Sequence, residues 1–255
     1  MSVRLHHVDE GPRDAPVLVL SGSLGSTLEM WRPQVAPLTE RFRVIRMDHR
    51  GHGGSPVPPG PYRIADLADD VLALLDELGL DRVAWCGLSM GGMIGMHIGS
   101  EAPERLTSLT LCCTTAHFPD PTVWSDRIKA VAEGGTGPIA DTVVSRWFTP
   151  DWAAAHPDVV AEAAAMVAGT PDEGYLASCE GLRVWDHRDR LPAITAPTLV
   201  IAGSADLSTP VQPHARTIAD AIPGARLEVL DAAHLATIER ADEATALIAA
   251  HSAGS

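Results

Sequence analysis

Lysine is almost missing from this chain. Lys129 is the only one, and nearly all positive charge is arginine. Nineteen basic residues stand against 33 acidic ones, for a formal charge of −14. No Lys/Arg cluster occurs anywhere, which excludes a nucleic-acid binder, because that needs a concentrated basic surface. No apolar run approaches the ~18 residues of a membrane span, so none is expected. The N-terminus, Met1-Ser-Val-Arg-Leu-His-His, lacks the charged-then-apolar profile of a signal peptide, and the chain reads as cytoplasmic. Cysteine is sparse, with Cys86, Cys112, Cys113 and Cys179 and no C-x-x-C. That excludes a disulfide framework or a zinc site and makes the four small core residues, Cys112 and Cys113 on opposite faces of a strand.

What is present is ordinary apolar content, 45% hydrophobic in 255 residues, enough for one large domain with a sizeable core. Short apolar runs alternate with helical patterns, which predicts an α/β fold with a mostly parallel sheet covered by helices on both faces. Strands are expected at Val3–Val8, Val17–Leu20, Arg43–Met47, Val83–Cys86, Leu106–Cys113, Thr198–Ala202 and Arg226–Leu230. The clearest helix is expected from Ile64 to Leu78, with Leu67, Val71, Leu74, Leu75 and Leu78 on one face. The alternation breaks over residues 118–190, which hold four of the six tryptophans and the Gly134-Gly-Thr-Gly-Pro138 breaker. This stretch is expected to be a helical cap inserted into a core made of residues 1–117 and 191–255.

The strongest local signal is Gly87-Leu-Ser-Met-Gly91, directly after the strand Val83–Cys86 and directly before a helix. A sharp strand-to-helix turn strains its central residue, and glycines two positions to either side remove the collisions. Ser89 is thereby held above the sheet at the positive end of the following helix. A serine needs a base. His234, in Asp231-Ala-Ala-His-Leu235 beyond the last strand, is the histidine placed to reach it. His49 and His52, in Asp48-His-Arg-Gly-His-Gly-Gly-Ser55, are expected to make structural hydrogen bonds. The carboxylate that fixes the histidine is expected to be Asp206, which follows the strand Thr198–Ala202, with Asp231 as the alternative. Oxyanion donors are expected to be the N–H of Met90 and, from the loop Ser21-Gly-Ser-Leu-Gly-Ser26, that of Ser23, with Leu24 as the fallback.

The order Ser89, Asp206, His234, with an oxyanion loop upstream and a helical stretch between nucleophile and acid, resembles the α/β-hydrolase family. The Asp48–Ser55 loop nearly matches that family's Asp-x-Arg-Gly-x-Gly-x-Ser. Ser21-Gly22 replaces the usual His-Gly, at no cost where the donor is backbone. Leu20-Ser-Gly-Ser-Leu-Gly-Ser with Met30-Trp31, Arg146-Trp-Phe-Thr-Pro150, Cys112-Cys-Thr114 and Ala232-Ala-His-Leu235 resemble the 3-oxoadipate enol-lactonases of aromatic catabolism. That resemblance implies a serine hydrolase that needs no cofactor and opens a small carboxylate-bearing enol-lactone through an acyl-enzyme on Ser89. The rivals are a promiscuous short-chain carboxylesterase and a ligand-binding protein on a hydrolase scaffold. No metal or nucleotide motif is present, and the expected partner is a small lactone or ester. Trp124 and Trp147 are candidate pocket walls, with packing between helices an equal alternative. Arg127, Arg146, Arg183, Arg188 and, less favoured, Arg50 are candidates for reading a substrate carboxylate. The oligomeric state is open.

Overall fold

In the computed structural model, which describes residues 2–254, seven strands form one sheet. They are β1 (His7–Glu10), β2 (Val17–Ser21), β3 (Arg43–Met47), β4 (Val83–Leu88), β5 (Leu106–Cys112), β6 (Thr198–Gly203) and β7 (Arg226–Leu230), in the order β1-β3-β2-β4-β5-β6-β7. Only β1 is antiparallel, paired with β3. Every residue of β4 and β6 is buried, so the centre of the sheet is covered on both faces, as parallel sheets require.

The helices are α1 (Arg32–Thr39), α2 (Ile64–Glu77), α3 (Met90–Glu101), α4 (Thr122–Gly134), α5 (Ala140–Val144), α6 (Pro150–Ala155), α7 (Pro157–Ala168), α8 (Asp172–Arg183), α9 (Arg216–Ala221), α10 (Ala236–Glu239) and α11 (Ala241–Ala253). Helix α2 buries Ile64, Leu67, Val71, Leu74 and Leu75 along the stripe that its periodicity marks. Between β5 and β6 run α4 to α8, with no strand longer than the single bridge His117–Asp186.

Strand ends depart from the expectation: β1 runs His7–Glu10 in place of Val3–Val8, β2, β4 and β6 extend to Ser21, Leu88 and Gly203, and β5 stops one residue early. The first strand begins at His7, not Val3, because the backbone donors before it go to side chains instead. Val3 N–H donates to Asp70 Oδ1 (2.7 Å) and His6 N–H to Ser55 Oγ (2.9 Å). The fifth strand stops at Cys112, since Cys113 turns to φ +42°, a left-handed angle that breaks extended pairing. All four cysteines are free and buried.

The topology brings four chain segments to one edge. In a parallel sheet every strand delivers its following loop at the same side, and β2 and β4 flank the point where the strand order reverses. The loop after β2 and the turn after β4 therefore lie side by side, joined by Gly91 N–H to Gly22 C=O (2.9 Å). The approach is so close that a Cβ on Gly91 would overlap the Ser21 carbonyl, and one on Gly87 would overlap that of Gly91. Gly87→Ala and Gly91→Ala should each lower the urea midpoint, at a cost of about 1–3 kcal/mol or more. A midpoint unchanged in both variants would show that the turn can relax.

Candidate active site

Ser89 occupies the turn between β4 and α3 at φ +54°, ψ −112°, a region that non-glycine residues rarely enter. Several bonds hold it there. Ser89 N–H donates to Cys112 C=O (2.9 Å), and Ser89 C=O accepts from the Thr114 hydroxyl (2.7 Å) and from the N–H of Gly92 and Met93. Trp85 Nε1–H donates to Gly91 C=O at 3.1 Å, pinning the start of α3 to β4. The strain is therefore distributed over a rigid surround rather than relieved.

The loops after β6 and β7 are stitched together. Ser204 N–H donates to Leu230 C=O (2.8 Å) and Ala205 N–H to Ala232 C=O (2.9 Å), and Gly203 has no room for a Cβ against the Ala232 and Ala233 carbonyls. This register sets His234 Nδ1 2.8 Å from Asp206 Oδ2, with both residues buried. Asp206 also accepts the N–H groups of Ser208 and Thr209 on Oδ1 and the Thr209 hydroxyl on Oδ2. Burial pushes its carboxyl upward, but the His234 charge and hydrogen bond, with the Thr209 bonds, outweigh burial and leave it below the usual carboxylate range. Asp231, by contrast, is exposed and bound to Arg240 and Ser204, away from His234.

Ser23, Leu24, Ser89, Trp124, Trp147 and His234 line one cavity of about 110 Å³. Among the described residues no hydrogen bond joins Ser89 Oγ to His234, whose ring bonds to Asp206. Such contacts commonly tighten only when substrate is bound. Trp124 packs edge-on against Phe118, with ring centroids 5.0 Å apart, and Trp147 is buried beneath the His234 loop, where Leu235 N–H donates to its carbonyl.

On the oxyanion side, the Ser23 N–H is already engaged, donating to Ser26 Oγ at 3.0 Å with Met30 Sδ at 3.4 Å. To serve an oxyanion it would have to share that proton. The Leu24 N–H next to it makes no hydrogen bond among the described residues. The turn is held from behind by the Asp48–Ser55 loop. Gly25 N–H donates to His52 Nε2 (3.0 Å), His52 Nδ1 donates to Arg50 C=O (3.1 Å), and His49 Nε2 lies 3.3 Å from Gly22 C=O.

Of the five candidate arginines, the structure places two in the cavity, Arg127 and Arg146. Arg183 is paired with Glu180 and Arg188 with Asp186, both at the surface, and Arg50 is buried in a two-bond clasp with Asp70 (2.5 and 2.7 Å). Neither Arg127 nor Arg146 has a carboxylate partner among the described residues; Arg127 donates to the Tyr175 hydroxyl at 2.8 Å. Tyr175 was not anticipated. Burial pushes its phenol up to about 12, so it keeps its proton and can itself donate. Phe118, Ser208 and Thr209 also line the cavity, brought there by loops whose sequence carries no motif. Among the described residues no group of three or more His, Cys, Asp or Glu could hold a metal ion, and no helix is long and apolar enough to cross a membrane.

The buried His49 predicts acid sensitivity. Burial first, and His52 next, push its ring from 6.5 down to about 4, only partly offset by the Gly22 hydrogen bond and the Asp48 charge. Below pH 6.5 the unfolded chain takes up a proton that the folded chain refuses until about pH 4, so this contribution to stability is intact above 6.5 and falls across that window. The melting temperature should drop between those limits, and drop less in His49→Gln. Equal slopes in both proteins would remove His49 from the account.

Residues 15–241 match the family model described as the alpha/beta hydrolase fold. The chain is 39% identical over 93% of its length, and 89% of the relative's, to 3-oxoadipate enol-lactonase 2 of Acinetobacter baylyi. It is 33% identical to a protein of Stutzerimonas stutzeri named as a carbamate hydrolase, RutD, covering 86% of this chain and 84% of that one. The crystal structure of the enol-lactonase from Burkholderia xenovorans LB400 superposes with a TM-score of 0.93 at 43% identity, over 96% of this chain and 94% of that one. The strand order, the strained serine turn and these matches together make this chain a member of the α/β-hydrolase family, and a hydrolase.

Proposed function

We propose that this protein is a serine hydrolase that opens the ring of a small enol-lactone bearing a carboxylate, of the 3-oxoadipate enol-lactone type. The observation that carries this reading is the presence of Arg127 and Arg146 in the same cavity as Ser89 and His234, with no carboxylate partner among the described residues. In a chain of charge −14, such a pair is a local answer to an anionic substrate that the overall field repels. The enol-lactonase names among its relatives agree with it.

With His234 Nδ1–H donating a hydrogen bond to Asp206, the Nε2 lone pair is free to take the Ser89 proton as Oγ attacks the lactone carbonyl. Asp206, held ionised by its hydrogen bonds, stabilises the imidazolium. The oxyanion lies between Met90 N–H, at the start of α3, and the amides of the Ser23–Leu24 turn. Collapse breaks the ring C–O bond; the enolate that leaves takes the proton from the His234 imidazolium and ketonises. Water, deprotonated by His234, then cleaves the acyl-enzyme to give 3-oxoadipate and free Ser89. Trp124 and Trp147 serve as walls that keep the flat ring against the nucleophile.

Ser89→Ala and Asp206→Asn should each lower kcat by about 10³-fold or more, the second because it favours the wrong histidine tautomer. Circular dichroism should show both proteins folded. Near-normal turnover in a folded Asp206→Asn protein would move the acid role elsewhere.

Truncating the arginine that reads the carboxylate should discriminate between substrates. A charge-assisted hydrogen bond is worth about 1.5–3 kcal/mol, so Arg127→Ala or Arg146→Ala should cost roughly tenfold to over a hundredfold in kcat/KM for the anionic lactone and little for a neutral short-chain ester. Equal losses on both substrates in both variants would favour the carboxylesterase reading. Faster turnover of a carbamate than of either would favour the activity after which the Stutzerimonas relative is named.

A further inference from the structure

A second cavity is larger than the one that Ser89 lines. A groove of about 600 Å³ runs between the residue 27–33 segment, helices α6 and α7, and Ile238. Its volume falls within the ~300–1,000 Å³ usual for small-molecule sites. Met30, Pro33, Trp152, Val159, Met166 and Ile238 give it an apolar lining. Trp152 is a fixed wall, stacked between Phe148 (ring centroids 4.8 Å apart) and His156 (4.0 Å).

The charges at its rim restrict the occupant. Arg32 spans the mouth from the core to α7, 3.2 Å from Glu162 and 3.5 Å from Glu29. Of the charged residues that line the groove, two are acidic and Arg32 is engaged by both. The buried Arg46 reaches Glu29 from behind (3.7 Å), so no lining cation is left for an anionic head group. An apolar lining with an acid-rich rim suits an uncharged chain.

The groove also reaches the catalytic turn. Met30 lines it, yet is itself only 1% exposed, because its sulfur is packed on the other side against Ser26 Oγ (3.0 Å) and the Ser23 amide (3.4 Å). Ser23 in turn lines the Ser89 cavity. A single flexible thioether therefore touches both a ligand-sized groove and the oxyanion loop, and methionine re-packs readily when a neighbour arrives.

We propose that this groove is a second binding site, for a neutral aliphatic chain, and that its occupancy is felt at the Ser23 turn through Met30. The binding half stands by itself; the coupling half rests on the serine-hydrolase reading above.

The probe is n-octyl glucoside below its micelle concentration, with octanoate as the charged comparison. Binding is measured by calorimetry and by the methyl resonances of carbon-labelled methionine in Ser89→Ala protein, where no turnover intrudes. The glucoside should bind and shift Met30 and Met166, and octanoate should bind about tenfold more weakly or worse. Ala165→Trp, which puts an indole into the groove from exposed α7, should weaken the glucoside by about tenfold or more. Unchanged affinity in Ala165→Trp, or octanoate bound as tightly, overturns the site. So does a concentration-dependent dimer that Ala165→Trp abolishes, since the groove would then be an interface between copies.

For the coupling, the glucoside should lower kcat on a short neutral ester with KM within about twofold, and the effect should vanish in Met30→Ala, or in Met30→Leu if that variant fails to fold. A rise in KM alone places the probe in the Ser89 cavity and overturns the coupling. If the wild-type protein hydrolyses no ester or lactone, the serine-hydrolase reading fails while the calorimetry still decides the groove.

Discussion

A serine held at φ +54° in an otherwise regular strand–turn–helix unit needs its neighbours to keep it there. Gly87 and Gly91 let the turn close on itself and on Ser21. The backbone bond from Gly91 to Gly22 then ties the loop after β2 to the same turn, so Ser89 and that loop are positioned by one contact. The Thr114 hydroxyl and the Cys112 carbonyl fix the other side. The rest of the site is arranged around this point, because the parallel sheet delivers Asp206 and His234 from β6 and β7 to the same edge.

Electrostatics divides the polar residues into two groups. One braces the loops. Asp48 accepts the N–H groups of Leu28 and Gly54 and faces His6, Arg50 is clasped by Asp70, and neutral His52 holds Gly25. Glu239 accepts the N–H groups of Ala233, beside His234, and of Thr149, at the start of α6, and so ties the histidine loop to the helical stretch. Asp48, Arg50, His52, Asp70 and Glu239 are buried and engaged within the protein. The other group, Arg127, Arg146 and the Tyr175 hydroxyl, has donors to spare and meets at the cavity. The same accounting separates Arg127 and Arg146 from Arg183 and Arg188, which the sequence ranks alike.

The triad candidates were legible because each follows a strand with a recognisable pattern, and parallel strands all end on one side. Ser89 had a motif as well as a position. Asp206 and His234 had position alone, and the choice of Asp206 over Asp231 agrees with the bond geometry because residues three apart on a loop point in different directions. Strand edges were less legible. The antiparallel β1 begins late because Asp70 and Ser55, far away in sequence, take the preceding amide protons. Tyr175 could have been flagged only by its being one of two tyrosines in the chain, which carries no chemistry.

The amino-acid sequence by itself determined the fold class, the serine turn and the chain order of the candidate acid and base, since these depend on local periodicity and on glycines within a few residues of the nucleophile. Tertiary structure alone decided which arginines meet the cavity, which loop amide is left unbonded, and that Met30 stands between a large apolar groove and the loop after β2. The arginines at the cavity and the groove beside Met30 depend on where α4 to α8 lie against the sheet edge. That arrangement joins side chains tens to hundreds of residues apart, over distances at which sequence spacing carries no geometric information.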